Sequence, residues 1–435
     1  MPEAPSARPE YLDYSYDMFL SSIDGEQSEA IRFSDWIDKV EADGRYPFEA
    51  ARLGAQRPAT RVRRTDGTEV ELLNFSSYNY LGYGVHPEVI EAAKQALDQY
   101  GLGACSSPVQ AGTLDLHSQL ERNLLDFVGL PGRGVSLFSS GYAVNTGTIS
   151  AVMKRRHHIV LDKSVHMSIL EGAQLSRAKI HYFEHNDPES LRTILEELAP
   201  SGRRILVCTE GVFSADGDFG ALGEIVPLAK SYGAQVLVDE AHSFGVAGPN
   251  GRGVAEAQGV LDQVDYLVIT FSKALGGVGG ALITTHELAR YVNWYARCRM
   301  FSCAMDPAVT AGVARAVELL GSSDGDARRK RVLANAAQLR ESLSDVDIGP
   351  SKSWIVPVIY GPEDRTILLA DYLMRRGHEG SVMEFPAVPV GQARIRLFVT
   401  SEHTPSQIQR CAAAMHDAAE HFGFVTTDRR EEPSQ

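Results

Sequence analysis

Tyr266-Leu-Val-Ile-Thr-Phe-Ser-Lys-Ala-Leu-Gly-Gly-Val-Gly-Gly280 is the stretch that decides the fold. Its first five residues are apolar or β-branched and too few for a helix, so they read as a strand buried on both faces. A glycine-rich turn follows. Residues 281–284 then return as another short strand, close enough to the turn to run antiparallel. A second buried strand, in Gln235-Val-Leu-Val-Asp-Glu-Ala-His242, closes on acidic residues and a histidine. Others fall at 135–138, 158–161, 179–183 and 205–209. Helical stretches at 87–100, 116–128, 188–198 and 222–232 separate most of them. Seven short strands alternating with helices predict an α/β fold, a mostly parallel seven-stranded sheet with helices on both faces.

The rest of the chain is arranged around that domain, which should span 74–305. Residues 1–30 are polar and acidic with some aromatics and read as an arm. Residues 31–73 read as a helix and a hairpin turning at Thr65-Asp-Gly67. Beyond 305 come helices at 308–320 and 327–343, strands at 355–359 and 394–399, and a helix at 404–422. These predict a smaller α+β domain, 306–422, before a tail, 423–435.

A chain of 435 residues is long for one core, so two domains are expected. With 44% hydrophobic and 23% charged residues, the composition is that of a soluble globular protein. A net charge of −14 argues against nucleic acid or an anionic membrane surface as partner. The one basic run, Arg328-Arg-Lys-Arg331, follows Asp324 and Asp326 and reads as a solvated helix face. The five cysteines are odd in number and scattered, which fits reduced thiols in a cytosolic protein and gives no zinc signature. There is no basic-then-apolar start and no apolar run of about 18 residues, so neither a signal peptide nor a membrane span is expected.

The chemistry collects where strands end. Lys273 follows the strand end at Thr270 by three residues. Desolvating an ammonium is costly unless it is paired or used, and a lysine there is placed to form a Schiff base. Thr270, Ser272 and the glycine backbone suit a phosphate. Asp239 closes another parallel strand at the same edge, where ligands bind. A carboxylate against a pyridine nitrogen keeps that nitrogen protonated. His242 suits the ring oxygen. Together these suggest pyridoxal phosphate. In Phe138-Ser-Ser-Gly-Tyr-Ala-Val-Asn145, the N–H groups of Gly141 and Tyr142 at a helix start can bind phosphate. Asp162-Lys-Ser-Val-His-Met-Ser168 offers His166 as a flat ring. Thr209-Glu-Gly-Val-Phe-Ser-Ala-Asp-Gly-Asp218 offers the Ser214 hydroxyl. Each motif alone reads equally well as a capping residue, a turn or a structural histidine.

From Asn74-Phe-Ser-Ser-Tyr-Asn-Tyr-Leu-Gly82 to Arg394-Ile-Arg-Leu397, these pieces resemble, in order, the α-oxoamine synthase family of fold-type-I pyridoxal-phosphate enzymes. The resemblance covers residues 31–422. The family includes serine palmitoyltransferase, 8-amino-7-oxononanoate synthase, glycine C-acetyltransferase and 5-aminolevulinate synthase. It implies pyridoxal 5'-phosphate as cofactor and Lys273 as the Schiff-base lysine and base. It puts Asp239 on the ring nitrogen, His242 and Ser214 on the ring oxygen, and His166 against the ring. It gives Gly141, Tyr142 and Thr270 to the phosphate, with Ser302 reaching the phosphate of a neighbouring subunit in a homodimer. Asn79, Arg396 and His166 would hold the amino acid's carboxylate. The implied reaction condenses an amino acid with an acyl thioester, on coenzyme A or an acyl carrier protein, with loss of carbon dioxide.

The chain departs from the family at three positions. Pro108 and Glu384 stand where many relatives have arginine, and Ala387 where some have threonine. Glu384 should repel a nearby carboxylate. The stretches around 100–117 and 385–389 are similar to the catalytic subunit of eukaryotic serine palmitoyltransferase, which favours serine over alanine or glycine. Competing readings are another fold-type-I enzyme, such as an aminotransferase or lyase, and a non-catalytic partner subunit.

Overall fold

The computed structural model describes residues 26–385 and 387–423. Most of the expected arm and nearly all of the expected tail lie outside the described residues. The strands are β1 (Ala51–Arg52), β2 (Ala59–Arg63), β3 (Glu69–Phe75), β4 (Arg133–Phe138), β5 (His158–Asp162), β6 (Lys179–Phe183), β7 (Ile205–Glu210), β8 (Gln235–Asp239), β9 (Tyr266–Thr270), β10 (Gly280–Thr285), β11 (Ile355–Gly361), β12 (His378–Met383) and β13 (Ala393–Phe398).

Contacts divide the chain into two compact units. One comprises Met1–Ser77, Ala215–Gly217 and Ala334–Gln435; the other comprises Tyr78–Ser214 and Asp218–Leu333. The second unit holds the seven-stranded sheet, in the order β4-β10-β9-β8-β7-β5-β6. Strands β6, β5, β7, β8 and β9 pair in parallel. β10 runs antiparallel to both β9 and β4, as the closeness of the glycine turn suggested. Strands β5, β7 and β9 are buried along their whole length, which is why they read as unbroken apolar runs, while the edge strand β6 is partly exposed.

One face of this sheet is covered by helix Gly141–Val152. Its Val144, Ile149 and Val152 pack with Leu161, Leu206, Leu237, Val268 and Leu282. Helix starts are set locally. Asp187 caps helix Pro188–Leu198 by accepting from the N–H groups of Glu189 and Ser190, with proline at the first position. Glu240 is wholly buried and accepts from the N–H groups of Val254 at 2.9 Å and Ala255 at 2.7 Å. Burial pushes its carboxyl up to about 7. The Glu of the Asp-Glu-Ala-His string is therefore an internal brace.

The first unit holds a six-stranded sheet, β1-β2-β3-β12-β13-β11. The hairpin β2–β3 turns where expected, with Gly67 in the left-handed region and Arg64 N–H bonded to Thr68 O at 2.8 Å. β12 was not foreseen. His-Glu-Gly-Ser-Val-Met carries no apolar alternation, and every one of its residues is half-buried. It pairs in parallel with β3 and antiparallel with β13. Gly380 allows this: a Cβ there would lie 2.3 Å from Ile395 Cγ2.

The division differs from the expected one at two places. Helix Pro307–Leu320 packs on helices Pro87–Tyr100 and Asp115–Val128, so the larger unit runs past residue 305 to Leu333. The N-terminal helix Glu26–Ala42 and the hairpin join the C-terminal strands rather than standing apart, because β12 covers the otherwise open edge of β3. The basic run is a solvated face only in part: Lys330 and Arg331 are exposed, whereas Arg328 and Arg329 are tied down. Arg328 pairs with Asp324 at 2.7 Å and donates to Leu81 O at 2.7 Å, and Arg329 is 6% exposed and bound to Leu320 O. Among the described residues no helix is long and apolar enough to cross a membrane, and all five cysteines are free thiols.

Candidate active site

Strands β7, β8 and β9 lie side by side, and Glu210 stands in register with Asp239. Asp239 is 5% exposed at the carboxyl end of β8. Its Oδ1 accepts from Ala241 N–H at 2.9 Å and its Oδ2 from Asn145 Nδ2 at 2.6 Å. Asn145 also donates to Ser168 Oγ at 2.9 Å, and Ser168 Oγ bonds His166 Nδ1 at 2.8 Å. One chain of hydrogen bonds thus ties the carboxylate to the orientation of the His166 ring. His166 itself is exposed.

Asn145, Ser168 and Glu210 escaped the sequence reading. Asn145 is a buried amide in a helix that otherwise carries only apolar or hydroxyl side chains, and Ser168 sits two residues after His166, so weak signals existed for both. Glu210 is buried and accepts from His166 N–H. Burial first, and then the charge of Asp239, push the Glu210 carboxyl well above the usual range, while that N–H and Lys273 pull the other way. Two carboxyl groups side by side disfavour a second negative charge. A proton is therefore held more readily at Glu210 than at an ordinary carboxylate.

His242 is 6% exposed, and its Nδ1 meets the buried Tyr80 hydroxyl at 2.8 Å. Tyr78 stands edge-on to the same ring at 6.0 Å. Tyr80 is therefore a further residue the motif reading passed over, although it lies next to Asn79. Asn79 Oδ1 accepts from Gly84 N–H at 3.1 Å.

Gly141 opens helix Gly141–Val152, which Ser140 caps through Ala143 N–H. A Cβ on Gly141 would fall 2.6 Å from Thr270 Oγ1, so glycine lets the helix start meet the end of β9. First-turn N–H groups have no partner within the helix. Thr270 Oγ1 bonds Ser272 Oγ at 2.9 Å and donates to Gly279 O at 3.2 Å. Three hydroxyl and amide sources thus meet at one strand end. Lys273 follows them, half-buried. Tyr142 is 41% exposed and edge-on to His166 at 6.0 Å. Burial, and then a hydrogen bond to Glu171, push its hydroxyl up to about 12.

Ser214 is half-buried in the loop after β7. That loop is closed by a bridge between Val212 and Phe219 and clamped by His185. The imidazole spans Asp162 at 2.9 Å and Asp218 at 3.0 Å. Burial alone would lower its pKa, but bonds to both carboxylates, and their charges, raise it to about 10. Ser302 is half-buried beside the exposed Phe301 and Cys303, and Pro108 is half-buried.

Arg396 belongs to the other unit. It is 7% exposed on β13, donates to Ser381 Oγ at 3.1 Å and lies over the Phe398 ring. Glu384 is half-buried, and burial raises its carboxyl above the usual range. Ala387 is exposed.

The donor set of the larger unit fits pyridoxal phosphate. A buried carboxylate whose two bonds come from neutral amides favours a protonated ring nitrogen. The Gly141–Thr270 junction brings N–H and hydroxyl donors together as a phosphate needs.

The chain matches the family model described as aminotransferase class I and II over residues 70–415. It is 36% identical over 395 residues to the 8-amino-7-oxononanoate synthase of Citrifermentans bemidjiense, covering 90% of this chain and 99% of that one. With the enzyme of the same name from Klebsiella pneumoniae it shares 38% over 391 residues, covering 88% and 100%. Among solved structures, the serine palmitoyltransferase of S. paucimobilis with a bound PLP–myriocin aldimine overlays with a TM-score of 0.83 at 34% identity, covering 89% of this chain and 96% of that one. The 8-amino-7-oxononanoate synthase of Francisella tularensis gives 0.69 at 27% identity, covering 80% and 98%. The chain belongs to the class I and II aminotransferase family and, within it, to the α-oxoamine synthases, the fold-type-I pyridoxal-phosphate acyltransferases.

Proposed function

We propose that the chain condenses serine with an acyl thioester, releasing carbon dioxide and the free thiol and forming an α-aminoketone. The observation that carries this reading is the buried, doubly hydrogen-bonded Asp239 in register with Glu210, one strand from Thr270 and Lys273. When bound, pyridoxal phosphate supplies an electron sink for the carbanion formed at the amino acid's α-carbon. Asp239 would keep the proton on the ring nitrogen, with Asn145 and Ala241 fixing the carboxylate for that task. Lys273 would take the α-proton, and His242 and Ser214 would hold the ring oxygen. His166 would support the ring, the substrate carboxylate and the oxyanion, with Asn79 and Arg396 as further candidates for the carboxylate. Gly141, Tyr142, Thr270 and Ser272 would hold the phosphate.

Ser302 contributes to the phosphate site of a second copy in a homodimer. The exposure of Trp294 and Tyr295 at 59% each and Phe301 at 81%, all near Ser302, supports a face that a second copy covers. Glu384, in place of an arginine, disfavours an acyl chain ending in a carboxylate.

Alanine is the second reading, favoured by the sequence relatives named for 8-amino-7-oxononanoate synthesis. The test is an absorbance titration of the pyridoxal-phosphate-loaded protein with serine, glycine and alanine, followed by thiol release from acyl thioesters of graded length. A spectral change with serine and release dependent on it are expected. Keto-acid formation without thiol release would overturn the reading.

A further inference from the structure

The loop 212–219, which carries Ser214, is held twice. At its base Val212 bridges Phe219, and Phe213 N–H donates to Asp218 O at 3.1 Å. The Phe213 ring is 1% exposed and stands edge-on to His185 at 4.4 Å. These contacts fix where Ser214 begins, but not which way its side chain points. Rotation about the N–Cα bond of Ser214 swings its side chain and the following chain together. The path of the next three residues therefore aims the hydroxyl.

By its contacts the tip of the loop, Ala215–Gly217, is part of the first unit. Arg394, 2% exposed on β13, pairs with Asp216 and donates from Nη1 to Ala215 O at 3.4 Å. Its Nε donates to Gln392 O at 3.1 Å, which fixes the plane of the guanidinium. Gly217 O accepts from the N–H groups of Lys352 at 3.2 Å and Ser353 at 3.1 Å. Gly217 has φ 67°, and a Cβ there would lie 2.1 Å from Ile355 O, so the chain passes this point only as glycine. Among these ties the Arg394–Asp216 pair is the ionic one. A guanidinium buried so deeply is expensive to desolvate, so its placement against one exposed-side turn calls for a use. Two residues on, and on the same face of β13, stands Arg396.

We propose that Arg394 is a positioning residue for the cofactor: by holding Asp216 it aims the Ser214 hydroxyl at the ring oxygen of pyridoxal phosphate. The proposal rests on the reading above, which gives Ser214 that oxygen. β13 then serves both halves of the reaction, offering Arg396 to the amino acid and, through Arg394, setting a donor for the cofactor. A hydroxyl that donates to the ring oxygen favours its ionised form. That is the form in which the lysine-bound cofactor absorbs visible light; loss of the donor shifts absorbance towards the near ultraviolet.

The test is the ratio of visible to near-ultraviolet absorbance of the pyridoxal-phosphate-loaded protein. It is read in wild type, Ser214→Ala, Arg394→Met, Arg394→Lys, Gly217→Ala, and Arg394→Met and Gly217→Ala each combined with Ser214→Ala. Ser214→Ala should lower the ratio about tenfold, the effect of losing one hydrogen bond to a charged oxygen. Arg394→Met should lower it about threefold, since a loosened loop still visits the right pose. Arg394→Lys keeps a cation for Asp216 and should recover part of the loss. Gly217→Ala loosens the same tip at another tie and should lower the ratio as well, which keeps the comparison open if Arg394→Met does not fold. Each combined variant should match Ser214→Ala alone, because the tie acts through that one hydroxyl. Melting of the cofactor-free variants shows which are folded.

A wild-type ratio in folded Arg394→Met overturns the proposal. So does a loss as large in the Ser214→Ala background as in wild type, because the tie would then act elsewhere. Where only Gly217→Ala folds, the same two results in it decide the matter. An unchanged ratio in Ser214→Ala, in a protein that still releases thiol with the amino acid, removes the role of Ser214 and the proposal with it, and leaves the condensation reading standing. A wild type that responds to no amino acid brings down the condensation reading itself.

Discussion

Asp239 is buried and Glu379 half-buried, and both carboxylates accept hydrogen bonds, yet their surroundings are opposites. Both oxygens of Asp239 are hydrogen-bonded, and one of the donors, Asn145, is itself tied to Ser168 and through it to His166. Glu379 has one bond, to Arg52, and three buried atoms around that pair are unanswered. The first arrangement is pre-organised: it will hold a charge in place without moving, which is what stabilising a developing charge requires. The second leaves buried polar atoms without a hydrogen bond.

The sharpest break of that comparison is Lys273→Ala. Turnover should fall by roughly 10³-fold or more, because the group that moves the α-proton is gone. The visible absorbance of the lysine-bound cofactor should vanish with it, while the melting temperature of the cofactor-free protein holds. Activity surviving in this variant would remove the whole site assignment.

A finer cut compares Asp239→Asn with Glu210→Gln. The two carboxyl groups are neighbours in register, but burial and the charge of Asp239 raise the pKa of Glu210. Asparagine at 239 removes the proposed counter-charge to the ring nitrogen and should cost about 10²–10³-fold in kcat. Glutamine at 210 imitates a protonated acid and should change kcat by about twofold or less. If the costs came out reversed, the proton would sit on Asp239 and the electrostatic argument would fail.

How much of this was legible beforehand follows from where each signal lives. Asp239 and Lys273 stand out because each closes a run of buried residues, and a charge in that position has no cheap explanation. Four of the five parallel strands were visible because burial on both faces leaves an unbroken apolar run, the exception being the edge strand β6. β12 was not, since a half-buried strand of His-Glu-Gly-Ser-Val-Met has neither a run nor an alternation, and Arg52 finds Glu379 only across 327 positions of chain. Asn145 is similar. Its meaning comes from Asp239, 94 residues away. A motif shows what is near in sequence, whereas these residues matter through partners that folding supplies.

The unanswered pair makes its own prediction about stability. Replacing both members with apolar residues, Arg52→Met with Glu379→Met, removes the desolvation cost of a half-made ion pair. The melting temperature should stay the same or rise by about 2–4 °C, the equivalent of roughly 1 kcal/mol in a domain of this size. Removing Arg52 alone should do worse than removing both, because it strands a carboxylate. A clear drop for the double variant would mean that the pair is a structural tie.

The smallest effect concerns His185, which belongs with the fully answered kind. It spans Asp162 and Asp218 and braces the loop that carries Ser214. Its pKa is raised from 6.5 to about 10 in the folded protein. A histidine whose folded pKa is raised contributes stability that is fully present below about 6.5. That contribution is lost as pH climbs from there through 10. His185→Gln should therefore lower the melting temperature by about 2–4 °C near pH 6, and less as the pH rises. The wild-type and variant curves of melting temperature against pH should converge towards pH 10. Parallel curves across that window would show that the imidazole is neutral in the folded protein and that two carboxylates share the loop with no cation between them. The electrostatics on this page argue against that arrangement, because Asp162 is wholly buried and Asp218 nearly so.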